Sequence, residues 1–162
     1  MATSLKNLSE YNKENIPNGA DFRIGIVVSE WNEHITSKLL DGAKSTLLDA
    51  GVKEENIVLS IVPGAFELPL GAQRLLETGT IDGVVAIGVV IQGETRHFDF
   101  VCSGTTQGIV DVTLKYNKPV GFCLLTDNTE QQSIDRAGGK HGNKGVEAAV
   151  TVVRMIALKK GQ

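Results

Sequence analysis

The sequence predicts a single α/β domain, with a central parallel sheet of four strands and helices packed on both faces. Three observations carry this. Strand-like apolar runs alternate with segments whose apolar residues recur at helical spacing, and short connections join them. The run over residues 83–91 is apolar throughout, as expected of a strand buried on both faces. The chain's 162 residues, 41% hydrophobic, suit one three-layer domain with a core large enough to be stable by itself.

Residues 1–20 mix Asn, Lys, Glu and Ser with few large apolar groups. They read as a flexible N-terminal arm that orders when a neighbouring subunit holds it, ahead of a domain over residues 21–162. Residues 22–28 form the first predicted strand. Ile35, Leu39, Leu40, Ala43, Leu47 and Leu48 then recur at helical spacing until Gly51 supplies a stop. Residues 57–62 are a second strand, broken at Pro63-Gly64, and residues 67–77 a helix with Gly79 just past its end. The third and most buried strand is 83–91. A long helix over 98–116 follows, despite its glycines and threonines, then a fourth strand over 120–125. A helix over 129–136 precedes a last one that Asn143 caps, with Val146, Ala149, Val150, Val153 and Ala157 on one face. Glu147 near its start and Lys159 and Lys160 at its end suit the helix dipole. Parallel strands joined through helices imply right-handed crossovers.

A formal net charge of -3 without a block of like charge excludes the basic stripe that nucleic acid or an anionic membrane would require. The expected partner is a small molecule or another protein. Cys102 and Cys123 lack CxxC spacing and read as reduced core residues. His34, His97 and His141 have no paired ligand spacing, so no metal is expected. Residues 1–21 show no signal-peptide or transit-peptide pattern, and no stretch approaches membrane-spanning length, so the expected location is the cytoplasm.

In parallel sheets, ligands bind beyond the carboxyl ends of the strands. Four segments arrive there: Ser29-Glu30-Trp31-Asn32, Pro63-Gly64-Ala65-Phe66-Glu67, Gly93-Glu94-Thr95-Arg96-His97 and Thr126-Asp127-Asn128. Trp31 is either a core staple or a flat face for a planar heterocycle, and its polar neighbours favour the second. Glu67 offers acceptor oxygens to ligand hydroxyls, or simply suits a helix start. The backbone of Gly93-Glu94-Thr95 leads into a helix and can receive an anion, although no Gly-Lys-Ser or Gly-Lys-Thr makes it a Walker loop. His97 is a proton shuttle or a plain helix-start histidine. Arg136 is a phosphate partner or a solvated arginine. The link from 138 to 145 reads as a flexible helix connection.

Pro63-Gly64-Ala65-Phe66-Glu67, Gly93-Glu94-Thr95-Arg96-His97-Phe98-Asp99, and Arg136-Ala137-Gly138 followed by Gly142-Asn143-Lys144-Gly145 together closely resemble the lumazine synthase family, from about residue 22 to the C-terminus. The resemblance implies a flavodoxin-like winding and no cofactor. The implied reaction condenses 5-amino-6-(D-ribitylamino)uracil with 3,4-dihydroxy-2-butanone 4-phosphate. It also implies that Trp31 stacks on the pyrimidine, Ala65, Phe66 and Glu67 hold the ribityl chain, and Val89, Val90 and Ile91 line the heterocycle pocket. By the same pattern Glu94 and Thr95 bind phosphate, Arg136 pairs with it, Phe122 completes the pocket from an adjacent subunit, and His97 transfers protons. Glu94 departs from the commoner Ala or Ser, so only its backbone N–H is expected to face the phosphate.

The implied assembly is a homopentamer, with room for an N-terminal strand added on assembly and riboflavin synthase as a candidate partner. The short connection from 138 to 145 lacks the insertion of many pentamer-only members and points towards a shell of 60 subunits. Three other readings stay open: a flavin-binding or storage protein, a riboflavin synthase of the same fold, and a shell protein without turnover.

Overall fold

β3 (Gly83–Ile91) is the spine of the sheet. Its first seven residues are buried, and it pairs in parallel with β1 (Ile24–Ser29) on one side and β4 (Val120–Asp127) on the other. The computed structural model describes residues 7–161, and in it β2 (Ile57–Val62) adds outside β1 to give the order β2-β1-β3-β4. This is the expected flavodoxin-like winding. The direction of strand addition reverses between β1 and β3, which opens a crevice at their carboxyl ends.

α1 (Glu33–Asp49) and α5 (Lys144–Lys159) cover one face of the sheet, and α2 (Leu68–Glu77) and α3 (His97–Tyr116) the other. Alternation along β1 feeds both layers: Ile24 and Ile26 join the core with Leu39 and Val152, whereas Val27 joins the core with Leu68 and Ile109. α1 and α5 touch where α5 begins. A Cβ on Gly145 would fall on the backbone oxygen of Leu39, so only glycine allows the approach.

The element boundaries depart from expectation in several places. β1 begins at Ile24 rather than at residue 22; Phe22 is buried outside the ladder, beneath the Lys160 ammonium 4.6 Å from its ring. α3 begins at His97, which puts the imidazole at the first helical position. β4 runs on to Asp127 instead of stopping at 125, because Asp127 pairs with Ile91 and its carbonyl accepts the Gln92 N–H at 2.9 Å. The link from 138 to 145, read as a flexible connection, is largely an antiparallel hairpin of β5 (Ala137–Gly139) and β6 (Gly142–Asn143). Gly138 and Gly142, with φ of 101° and 81°, supply its left-handed corners, and the pattern is too short to show strand periodicity.

Of the segment read as an arm, residues 1–6 lie outside the described residues. From Asn7 on, the chain lies along its own domain. Leu8 is buried and its N–H donates to the His141 carbonyl at 2.7 Å, while the Ser9 hydroxyl accepts the Asn143 N–H at 2.9 Å. The Lys13 ammonium, 2.6 Å from Asp49, holds that carboxyl below its ordinary range. Both cysteines are free. Cys123 is in the core and burial pushes its thiol up to about 12, but Cys102 is only partly buried on α3, which corrects its reading as a core residue.

Candidate active site

The crevice between β1 and β3 is built from three loops. After β1 the ladder with β2 continues through Glu30 N–H to the Val62 carbonyl at 2.9 Å and Trp31 N–H to the Pro63 carbonyl at 3.3 Å. Trp31 is thereby fixed by its backbone while its indole stays 71% exposed. An indole this exposed is not a core staple. Asn32 then turns the chain into α1 in the left-handed conformation, φ 62°, and its amide donates to the Val89 carbonyl at 3.3 Å.

After β2, Gly64 is extended and Ala65–Glu67 makes a single tight turn. A Cβ at Gly64 would lie 3.0 Å from the Glu67 Oε2, so the glycine leaves room for that carboxylate to fold back over the loop. α3 is shaped around the same segment. Gly104 accepts the Phe66 ring, which a Cβ would meet at 2.7 Å, and the Thr105 hydroxyl donates to the Ala65 carbonyl at 3.2 Å. The glycine and threonine that look unfavourable in a helix are thus where α3 meets the loop.

After β3, residues 92–96 are exposed, and the His97 N–H donates to the Thr95 hydroxyl at 3.4 Å as α3 begins. Together these loops enclose a cavity of about 410 Å³. Trp31, Ala65, Phe66, Glu67, Val89, Val90, Ile91 and His97, all picked out from sequence, line it. Asn32 and Val101 line it as well and were given no role from sequence. Asn32 carried one usable signal, since asparagine tolerates the left-handed turn before a helix. Val101 had only its helical spacing of four from His97.

The remaining candidates lie elsewhere within the chain. Glu94 and Thr95 are exposed in the loop before α3. Phe122 lies on β4 in a separate apolar groove of about 360 Å³ with Ile109, Val110 and Leu114. Arg136 ends α4 (Glu130–Arg136), a short helix begun by a capping box of Thr129 and Gln132 and packed by Ile134 onto the core beneath α1 and α5. Its Nη1 donates to the Gln132 carbonyl at 2.8 Å, and its Nε is 4.0 Å from Asp127 Oδ1.

The cavity of one chain therefore holds an exposed indole, a carboxylate, strand-end backbone groups and an imidazole. Such a set can seat a flat heterocycle with a polyol chain and move a proton beside it. Among the described residues no group of three His, Cys, Asp or Glu is placed to hold a metal ion, and no helix is long and apolar enough to cross a membrane.

A model of the 6,7-dimethyl-8-ribityllumazine synthase family matches residues 21–160. Curated proteins named 6,7-dimethyl-8-ribityllumazine synthase are similar over nearly the whole chain. The one from Flavobacterium johnsoniae is 57% identical over 159 residues, 98% of this chain and 84% of the relative. The one from Parabacteroides distasonis is 56% identical over 156 residues, covering 96% and 98%. That from Christiangramia forsetii is 55% identical over 161 residues, covering 99% and 96%.

Proposed function

The chain belongs to the 6,7-dimethyl-8-ribityllumazine synthase family, and on that footing we propose which of its residues carry out the reaction. The reaction is the penultimate step of riboflavin biosynthesis. It condenses 5-amino-6-(D-ribitylamino)uracil with 3,4-dihydroxy-2-butanone 4-phosphate to give 6,7-dimethyl-8-ribityllumazine, orthophosphate and two molecules of water.

Trp31 stacks on the uracil, backbone groups of Val89, Val90 and Ile91 meet its edge, and Ala65, Phe66 and Glu67 hold the ribityl chain. This fixes the aryl amine beside the ketone carbon, so orientation supplies much of the acceleration. His97 moves the protons. The amine loses one as it adds to the carbonyl and the departing hydroxyl gains one as the imine forms; a carbon-bound proton is then removed as phosphate is eliminated, and a second water leaves when the ribitylamino nitrogen closes the ring on the remaining carbonyl. Thr95, the backbone N–H groups of Glu94 and Thr95, and Arg136 stabilise the leaving phosphate, with the exposed Glu94 carboxylate directed to solvent.

One observation carries the assembly. Phe122 and Arg136 do not line the cleft of their own chain, and the groove holding Phe122 exposes Leu114 and Val110 beside the edge strand β4. We infer that this face meets the cleft of a neighbouring copy, so that Phe122 and Arg136 complete the site in a homopentamer. The short 138–145 link, without the insertion of many pentamer-only members of the family, supports twelve such rings in a 60-subunit shell, located in the cytoplasm. Riboflavin synthase, which consumes the product, is the partner proposed for it.

Purified protein supplied with both substrates is expected to develop lumazine absorbance and release one phosphate per product. The same preparation is expected to scatter light as sixty chains. Phosphate release without lumazine would overturn the reaction assigned, and a particle of five chains would overturn the shell.

A further inference from the structure

Within α4, Arg136 has one polar tether, the bond from Nη1 to the Gln132 carbonyl at 2.8 Å. A second restraint comes from the sheet. Asp127, the last residue of β4, brings Oδ1 to 4.0 Å from the Arg136 Nε, while its Oδ2 accepts the Ser133 hydroxyl at 2.8 Å. The Ser133 residue is fully buried and the Asp127 side chain only 11% exposed, so this carboxylate is largely withdrawn from water. Such a placement is costly unless a cation is close, and Arg136 is the only one within 4 Å among the described residues. The Asp127 backbone is equally fixed, by its pairing with Ile91 and by the Gln92 N–H.

We propose that Asp127, steadied by Ser133, is a positioning residue that presets the Arg136 guanidinium for the phosphate of the ketone substrate. This rests on reading Arg136 as the phosphate partner. The aspartate attracts the Nε side and the Gln132 carbonyl tethers Nη1, so Nη2 keeps its hydrogens unclaimed by any protein acceptor among the described residues. At 4.0 Å the attraction orients the guanidinium without a hydrogen bond that phosphate would have to displace. A preset arginine loses less side-chain freedom when the substrate binds.

Steady-state kinetics on the assembled enzyme test this with Asp127→Asn and Ser133→Ala, run beside Arg136→Ala. Asparagine keeps the size of the side chain and an acceptor for Ser133, and removes only the charge. Asp127→Asn is expected to raise KM for the phosphate ketone about five- to thirtyfold, with KM for the uracil within about twofold of wild type. Ser133→Ala should shift it in the same direction by less. In an Arg136→Ala background, adding Asp127→Asn should change nothing further, because the effect travels through the arginine.

An aspartate that merely supports the fold would weaken both substrates and add to Arg136→Ala, which would overturn the proposal. If Arg136→Ala weakens the phosphate ketone and Asp127→Asn does not, this inference alone falls. If Arg136→Ala itself leaves phosphate binding unchanged, the reading of Arg136 falls and takes this one with it.

Discussion

His97→Ala is expected to lower turnover by about ten- to a thousandfold while leaving the affinity for both substrates close to wild type. Histidine is the one side chain whose ordinary pKa lets it both accept and give a proton near neutrality, and the condensation needs both. The imidazole lines the cleft beside the strand-end backbone of β3. It opens α3 next to Thr95, the residue proposed to receive phosphate, so one group borders both the forming imine and the leaving group. In the proposed site the uracil is held by other groups, Trp31 and Glu67, so its binding should survive the substitution. Single-turnover kinetics with each substrate varied separate the two effects. Unchanged turnover would remove His97 from the mechanism.

Arg136→Ala is expected to raise KM for the phosphate ketone by about ten- to a hundredfold and to leave KM for the uracil nearly unchanged. A guanidinium paired with phosphate makes charge-assisted bonds that no neighbour replaces. The uracil does not touch it in this account. Equal losses for both substrates would point instead to collapse of α4, which a thermal unfolding comparison with wild type would reveal.

The sheet and its helices were legible because β1, β3 and the amphipathic faces of α1 and α5 obey simple periodicities. The hairpin at Gly138 and Gly142 was not, since its strands are too short for any period and only glycine φ values betray it. Nor was the end of β4 at Asp127, where pairing with Ile91 outweighs the polar character of Thr126 and Asp127. Within the site, the aromatic, carboxylate and imidazole positions were legible as unusual residues at strand ends, and the cavity gathers them. The role of Gly104 was hidden, because a helical glycine signals nothing until the Phe66 ring is seen against it. Asp127 was equally mute. Its significance lies in contacts with Ser133 and Arg136, which only the packing of α4 on β4 creates.

That catalysis occurs in clefts shared by touching chains is tested most directly by mixing two crippled variants. Co-expressed in equal amounts and assayed at a phosphate-ketone concentration well below the KM of the arginine variant, His97→Ala and Arg136→Ala chains should assemble together. In a ring where each site takes its imidazole from one chain and its guanidinium from the next, about one site in four is then intact. Roughly a quarter of wild-type activity is expected, more than either variant alone. A mixture no more active than the average of the two separate preparations would mean that each chain carries its own complete site.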